Sequence, residues 1–158
     1  MQAQIVDGDL LDQDVEVIVN AWNRNVIPWW LLVPQGVSGA IKRRGGYQPF
    51  IEVERAGPIP LGGAVLTAAG RLPHRGIIHV AGINLLWFAT QASVQRSVVA
   101  TIDIVNREHF ASVAFPVIGG GTGGAGEARA LQWMRDALAP LQCEAAARIV
   151  RFRKAAQT

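Results

Sequence analysis

Five short runs rich in valine and isoleucine recur along this chain: Ile5-Val6, Val15 to Val19, Ile77 to Val80, Val113 to Ile118 and Ile149-Val150. Runs this short and apolar fit strands covered on both faces. Their alternation with helix-suited stretches predicts a three-layer α/β/α structure on a central mixed, mostly parallel sheet. Another strand is expected over Ala64 to Ala68, after the breaker segment Pro58-Ile59-Pro60-Leu61-Gly62-Gly63. Of the 158 residues, 50% are hydrophobic and 17% charged, which suits one core and argues against disorder, so one domain over 1–158 is expected.

The clearest helix runs from about Ala92 to Arg107, with Val94, Val98, Ile102 and Val105 on one face and Thr90 or Ser93 as the cap. A second is expected from about Gly126 to Leu138, with Leu131, Met134 and Leu138 inward and Pro140 at its end. A third covers Val37 to Arg44 and stops at Gly45-Gly46. The apolar stretch from Val26 to Pro34 is bracketed by prolines and reads as a loop that packs down on something.

Met1-Gln2-Ala3-Gln4 lacks the basic start of a secretory signal and no apolar run is long enough to span a bilayer, so a cytoplasmic protein with no membrane partner is expected. The lone Cys143 has no Cys or His neighbours at ligand spacing; no metal and no cofactor are expected. The formal charge of +3 favours anionic partners without identifying one. Lys42-Arg43-Arg44 and Arg148 through Lys154 concentrate that charge and read first as solvated faces, second as a nucleic-acid surface. Nothing in the sequence assigns an oligomeric state.

The chemistry concentrates in Phe115-Pro116-Val117-Ile118-Gly119-Gly120-Gly121-Thr122-Gly123-Gly124, a buried strand running into a glycine loop and then a helix. Glycines let backbone N–H groups converge, and the helix N-terminus adds partial positive charge, so the concavity prefers phosphate. Three or four such N–H groups at ~1.5–3 kcal/mol each, before the costs of association, give micromolar affinity without a lysine. Gly119, Gly121 and Gly124 also satisfy G-x-G-x-x-G, but about one helix and one strand follow them, too little for a dinucleotide-binding unit. No Gly-Lys-Ser/Thr follows, which excludes a Walker loop. An unliganded glycine turn is the bland alternative.

A second cluster lies early: Gly8-Asp9-Leu10, Val17 to Asn23, and Gly36-Val37-Ser38-Gly39-Ala40-Ile41. Asn20 and Asn23 lie at the end of an apolar strand, where ligands collect in open α/β sheets; their amides either hold sugar hydroxyls or brace the turn.

Taken in order, these segments resemble the macrodomain family. Gly8-Asp9-Leu10 is similar to its G-D-[IL], Ile18 through Asn23 to I-V-N-A-x-N, and Gly36 through Ile41 to G-V-x-G-A-I. Ile78 through Gly82 is similar to I-H-x-x-G, and Phe115 through Gly124 to F-P-x-[IV]-x-x-G-x-x-G. The resemblance implies a macrodomain fold that binds ADP-ribose, free or on ADP-ribosylated protein or nucleic acid. It implies that Asp9, with Leu10 beside it, takes the adenine amino group, and that Asn23 meets the distal ribose. Gly36, Val37 and Ser38 would form one phosphate loop, and Gly119, Gly120, Gly121, Thr122 and Gly123 the other. Phe152 either stacks on adenine or fills the core, the core being the ordinary fate of a strand phenylalanine.

The chain departs from the family at telling places. Ser38 stands where many hydrolytic members carry Asp; a positioned base is worth roughly 10²–10⁴ in rate. The late glycine loop holds neither the lysine and acid of another branch nor the aromatic that Gly123 replaces. Pro28-Trp29-Trp30 replaces a glycine-rich approach and could lid the distal ribose, and the chain ends short of the long terminal helix many relatives carry. The pattern suits a divergent bacterial subgroup. The expected function is therefore ADP-ribose binding, with hydrolysis of an ADP-ribosyl linkage resting on Asn23, Ser38 and Lys42. The alternatives are a non-catalytic reader, or an RNA- or DNA-binding module using Arg43, Arg44, Arg151 and Arg153.

Overall fold

The computed structural model describes residues 1–31, 35–84, 86, 88–121 and 124–153. Thr122, Gly123, the last part of the apolar stretch (Leu32 to Pro34) and Lys154 lie outside the described residues. The strands are β1 (Ala3–Gly8), β2 (Val17–Trp22), β3 (Ala64–Thr67), β4 (Gly76–Ala81), β5 (Ser112–Pro116) and β6 (Ala146–Phe152). The helices are α1 (Gly36–Gly45), α2 (Gln48–Arg55), α3 (Gln91–Arg107) and α4 (Glu127–Leu138). One sheet joins all six strands in the order β1-β6-β5-β2-β4-β3, parallel except for the β3–β4 pair.

The Val/Ile runs become strands because the sheet is covered on both faces. Alternate residues of β2 divide between two cores: Val17 and Val19 join Val94, Val98, Ile102 and Met134 from α3 and α4, while Ile18 and Trp22 join Ile41, Phe50 and Val53 from α1 and α2. The expected mixed, mostly parallel three-layer architecture is what forms. α3 begins with Thr90 and Ser93 each bonding the other's backbone, so both candidate caps act together. Leu131 is only partly buried, unlike Met134 and Leu138.

α2 is an element the sequence reading did not anticipate. Gly46 ends α1 at φ +83, and Tyr47 starts the next helix at once, with Pro49 in its first turn. It spans only 8 residues, with Pro49, Phe50 and Val53 buried, too short a run to show a sustained helical period.

The chain leaves β2 toward α1 on one face and β5 toward α4 on the other, although β2 and β5 are neighbours. A divergence of this kind is where open α/β sheets leave a crevice for a ligand, at the carboxyl ends of the strands. Behind it runs a buried polar chain across β2, β4 and β3. The Thr67 hydroxyl donates to the Ala68 carbonyl (3.0 Å) and so accepts from His79 Nε2 (2.9 Å), which leaves His79 Nδ1 to accept from Asn20 Nδ2 (3.0 Å). This arrangement requires a neutral imidazole, and burial pushes the His79 pKa down to about 3 from 6.5.

Because the unfolded chain then binds a proton that the fold refuses, this histidine costs no stability above pH 6.5 and progressively more as the pH falls from 6.5 toward about 3. Urea unfolding across that range should show a slope of up to about 1.4 kcal/mol per pH unit that His79→Gln removes. An unchanged slope in the variant would count against a neutral buried His79.

Candidate functional site

Five parallel strands end on one edge, and the segments singled out in the sequence follow them in spatial order. Asp9 follows β1 and Phe152 closes β6, in register with Gly8. The loop from Val117 to Gly126 follows β5, and Asn23 follows β2, whose loop leads to α1. From β1 to β2 is three strand spacings, about 14 Å.

At the β1 end, Asp9 caps a short turn over Leu10–Asp12, its Oδ1 accepting from the Leu11 N–H at 2.9 Å. Arg44 Nη1 reaches Asp9 Oδ2 at 3.4 Å, while its Nη2 pairs closely with Asp12 at 2.6 Å. Leu10 is buried beneath. Phe152 is 64% exposed, which overturns the reading of a core phenylalanine. It occupies the last position of β6 and is exposed among the described residues.

In the middle, the glycine loop leaves β5 with Gly119 at φ +78, a region that favours glycine. A Cβ there would lie 2.7 Å from the Ala89 Cβ and 3.3 Å from Val94, so the loop lies against the start of α3. Gly120 would meet Val117 at 2.6 Å, whereas a side chain at Gly121 would enter open space. The helices on either side of the crevice, α1 after Gln35 and α4 after Gly126, both begin without a side-chain cap. Their first intrahelical bonds are Gly39 N to Gln35 O and Ala130 N to Gly126 O. Among the described residues, the N–H groups of Gly36, Val37 and Ser38, and those opening α4, have no acceptor. Ser38 is half-buried, and no bond of its hydroxyl is seen among the described residues.

At the β2 end, the two asparagines part company. Asn20 is fully buried and its amide nitrogen is committed to His79, so the expectation that it holds a sugar hydroxyl gives way to a bracing role inside the sheet. Asn23 is 8% exposed, and its Oδ1 accepts from the Asn25 N–H at 2.7 Å. Asn25 went unnoticed in the sequence; the only available hint was an asparagine just beyond a strand, a residue that tolerates positive φ.

Lys42 is not the solvated cation its basic run suggested. It is 7% exposed, and its ammonium donates to the Trp29 carbonyl at 3.1 Å and lies 4.9 Å from the Phe50 ring centroid and 5.7 Å from those of Trp22 and Trp29. Removal from water lowers its pKa. The expected packing of the apolar loop is achieved by Trp29, stacked on Tyr47 at 5.1 Å, while Trp30 and Leu31 project outward.

Of the four arginines considered for nucleic acid, three hold carboxylates. Arg44 pairs with Asp12, Arg151 with Asp7 (2.7 and 3.0 Å), and Arg153 with Glu127 (2.7 and 3.1 Å). Among the described residues no cluster of His, Cys, Asp or Glu is arranged to hold a metal, and no helix is long and apolar enough to cross a membrane.

The family model for the Macro domain matches residues 19–134 of this chain. An uncharacterized protein of Aquifex aeolicus is 34% identical over 125 residues, 78% of this chain and 73% of that protein. The Escherichia coli protein named O-acetyl-ADP-ribose deacetylase is 33% identical over 128 residues, 76% of this chain and 68% of its own. A solved Oceanobacillus iheyensis macrodomain with ADP matches at a TM-score of 0.80 and 24% identity, over 95% of this chain and 83% of that one.

Proposed function

The chain belongs to the Macro domain family, and from that premise we propose that the crevice between β2 and β5 binds ADP-ribose, free or carried by a modified protein or nucleic acid. The observation that supports this most directly is that the helices following the adjacent parallel strands β2 and β5, one on each face of the sheet, both begin without a side-chain cap. A diphosphate there accepts N–H groups from Gly36 to Ser38 on one side and from the loop of Gly119, Gly120, Gly121, Thr122 and Gly123 on the other. Asp9, Leu10 and Phe152 then receive the adenine, and Asn23 the distal ribose.

Titration calorimetry with ADP-ribose at 0.15 M ionic strength tests the reading. Micromolar affinity is expected, and the absence of heat at millimolar ligand would reject it. Single-stranded RNA or DNA that binds with steep salt dependence and is not displaced by ADP-ribose would favour the nucleic-acid reading instead. Three of the four arginines that reading needs are already neutralised.

A reader with little turnover is the second reading, favoured by one observation. Of the residues considered for hydrolysis, Lys42 has its ammonium committed to Trp29, and Asn23 and Ser38 supply only an amide and a hydroxyl. The name of the Escherichia coli relative makes an acetyl ester of ADP-ribose the substrate to offer first.

A further inference from the structure

We propose that Asn25 is the positioning residue of the distal-ribose end of the crevice: it turns Asn23 so that the amide offers its N–H donors, not its carbonyl oxygen, to the ligand. The inference rests on the ADP-ribose reading above and adds to it a residue that never touches the ligand.

Asn25 takes the left-handed conformation at φ +58, which asparagine tolerates better than most residues with a side chain. Every polar atom of its side chain is engaged. Nδ2 donates to the carbonyls of Val53 (2.7 Å) and Gly57 (2.8 Å), and Oδ1 accepts from Trp22 Nε1 (3.3 Å). The turn after β2 is therefore fastened to the last turn of α2 and to the indole at the end of its own strand. So held, the Asn25 backbone N–H is delivered to Asn23 Oδ1 at 2.7 Å.

That contact decides which way the Asn23 amide faces. With Oδ1 turned toward the Asn25 N–H, the part of this nearly but not wholly buried side chain left to meet a ligand is the pair of N–H donors on Nδ2. A hydroxyl of the ligand is then placed to accept from them. Aspartate at position 25 would keep the turn and the Trp22 acceptor but set a carboxylate against two carbonyl oxygens. Glycine would keep the backbone angle and discard all three anchoring bonds.

The experiment compares ADP-ribose with ADP, which lacks the distal ribose, by calorimetry on the wild type, Asn25→Asp and Asn25→Gly, with thermal melts alongside. Wild type should prefer ADP-ribose by about tenfold, the worth of one well-placed hydrogen bond. Both variants should lose that preference while their affinity for ADP stays the same, and adding Asn23→Ala to either should cost nothing more. If Asn25→Asp melts too early to assay, Asn25→Gly, which needs no strained backbone, carries the test. Retention of the tenfold preference in a folded variant overturns the proposal, as does equal weakening toward ADP and ADP-ribose, which a merely structural residue would produce. A wild type that binds ADP-ribose no better than ADP would instead refute the assignment of Asn23 to the ribose, and one that binds neither would refute the ADP-ribose reading itself.

Discussion

Replacing Ser38 by aspartate should raise the rate of ester hydrolysis on O-acetyl-ADP-ribose by about 10²-fold or more, the lower range of what a positioned general base contributes. The fold has room for the change. Ser38 sits in the first turn of α1, half-buried, and α1 starts without a side-chain cap, so a carboxylate there is stabilised by the helix dipole by about 0.3–1 kcal/mol and stays ionised. Ionised, it can take a proton from water. The same charge lies beside the expected diphosphate, so KM should rise while kcat increases. A Ser38→Asp variant that binds ADP-ribose yet turns over no faster than the wild type would show that more than a base is missing.

A valine at Gly119 should abolish useful ADP-ribose binding, lowering affinity by at least about 100-fold. Gly119 is at φ +78, where a β-branched residue is strained by roughly 1–3 kcal/mol, and its Cβ would lie 2.7 Å from that of Ala89. The loop can relieve this only by moving away from α3, which takes its amides off the phosphate oxygens. Losing two such bonds, at ~1.5–3 kcal/mol each, accounts for the factor. Equilibrium binding together with a melt decides the matter: a folded Gly119→Val protein with wild-type affinity would remove this loop from the site.

The parts of the fold legible in the sequence were those whose signal is local. Thr90 and Ser93 flank a 3.6-residue apolar period, and α3 begins where they place it. The Val/Ile runs became strands because a doubly covered sheet asks for apolar residues on both faces. α2 was missed because Phe50 and Val53 contribute too short a pattern between a glycine pair and Gly57-Pro58.

In the site, the role of Asp9 was legible only through the family resemblance, whereas the glycine segments stood out through backbone requirements that few residues meet. Lys42, Asn20 and Asn25 did not, because their partners come from distant parts of the chain: Phe50 and Trp29 for the lysine, His79 for the first asparagine, Val53 and Gly57 for the second. Phe152 was open to two readings, adenine stacking or core, because a strand pattern does not show how far its last residues are covered.

The bridge between Arg153 and Glu127 bears on how a ligand is received. Arg153 directly follows Phe152, and Glu127 opens α4 directly after the glycine loop, so a two-pronged ion pair buckles the end of β6 to the start of α4. If adenine and diphosphate are held as proposed, the buckle fixes in advance how their two receiving surfaces sit, and part of the loss of freedom is charged to folding and not to capture. Because the buckle is exposed, raising the salt should slacken it.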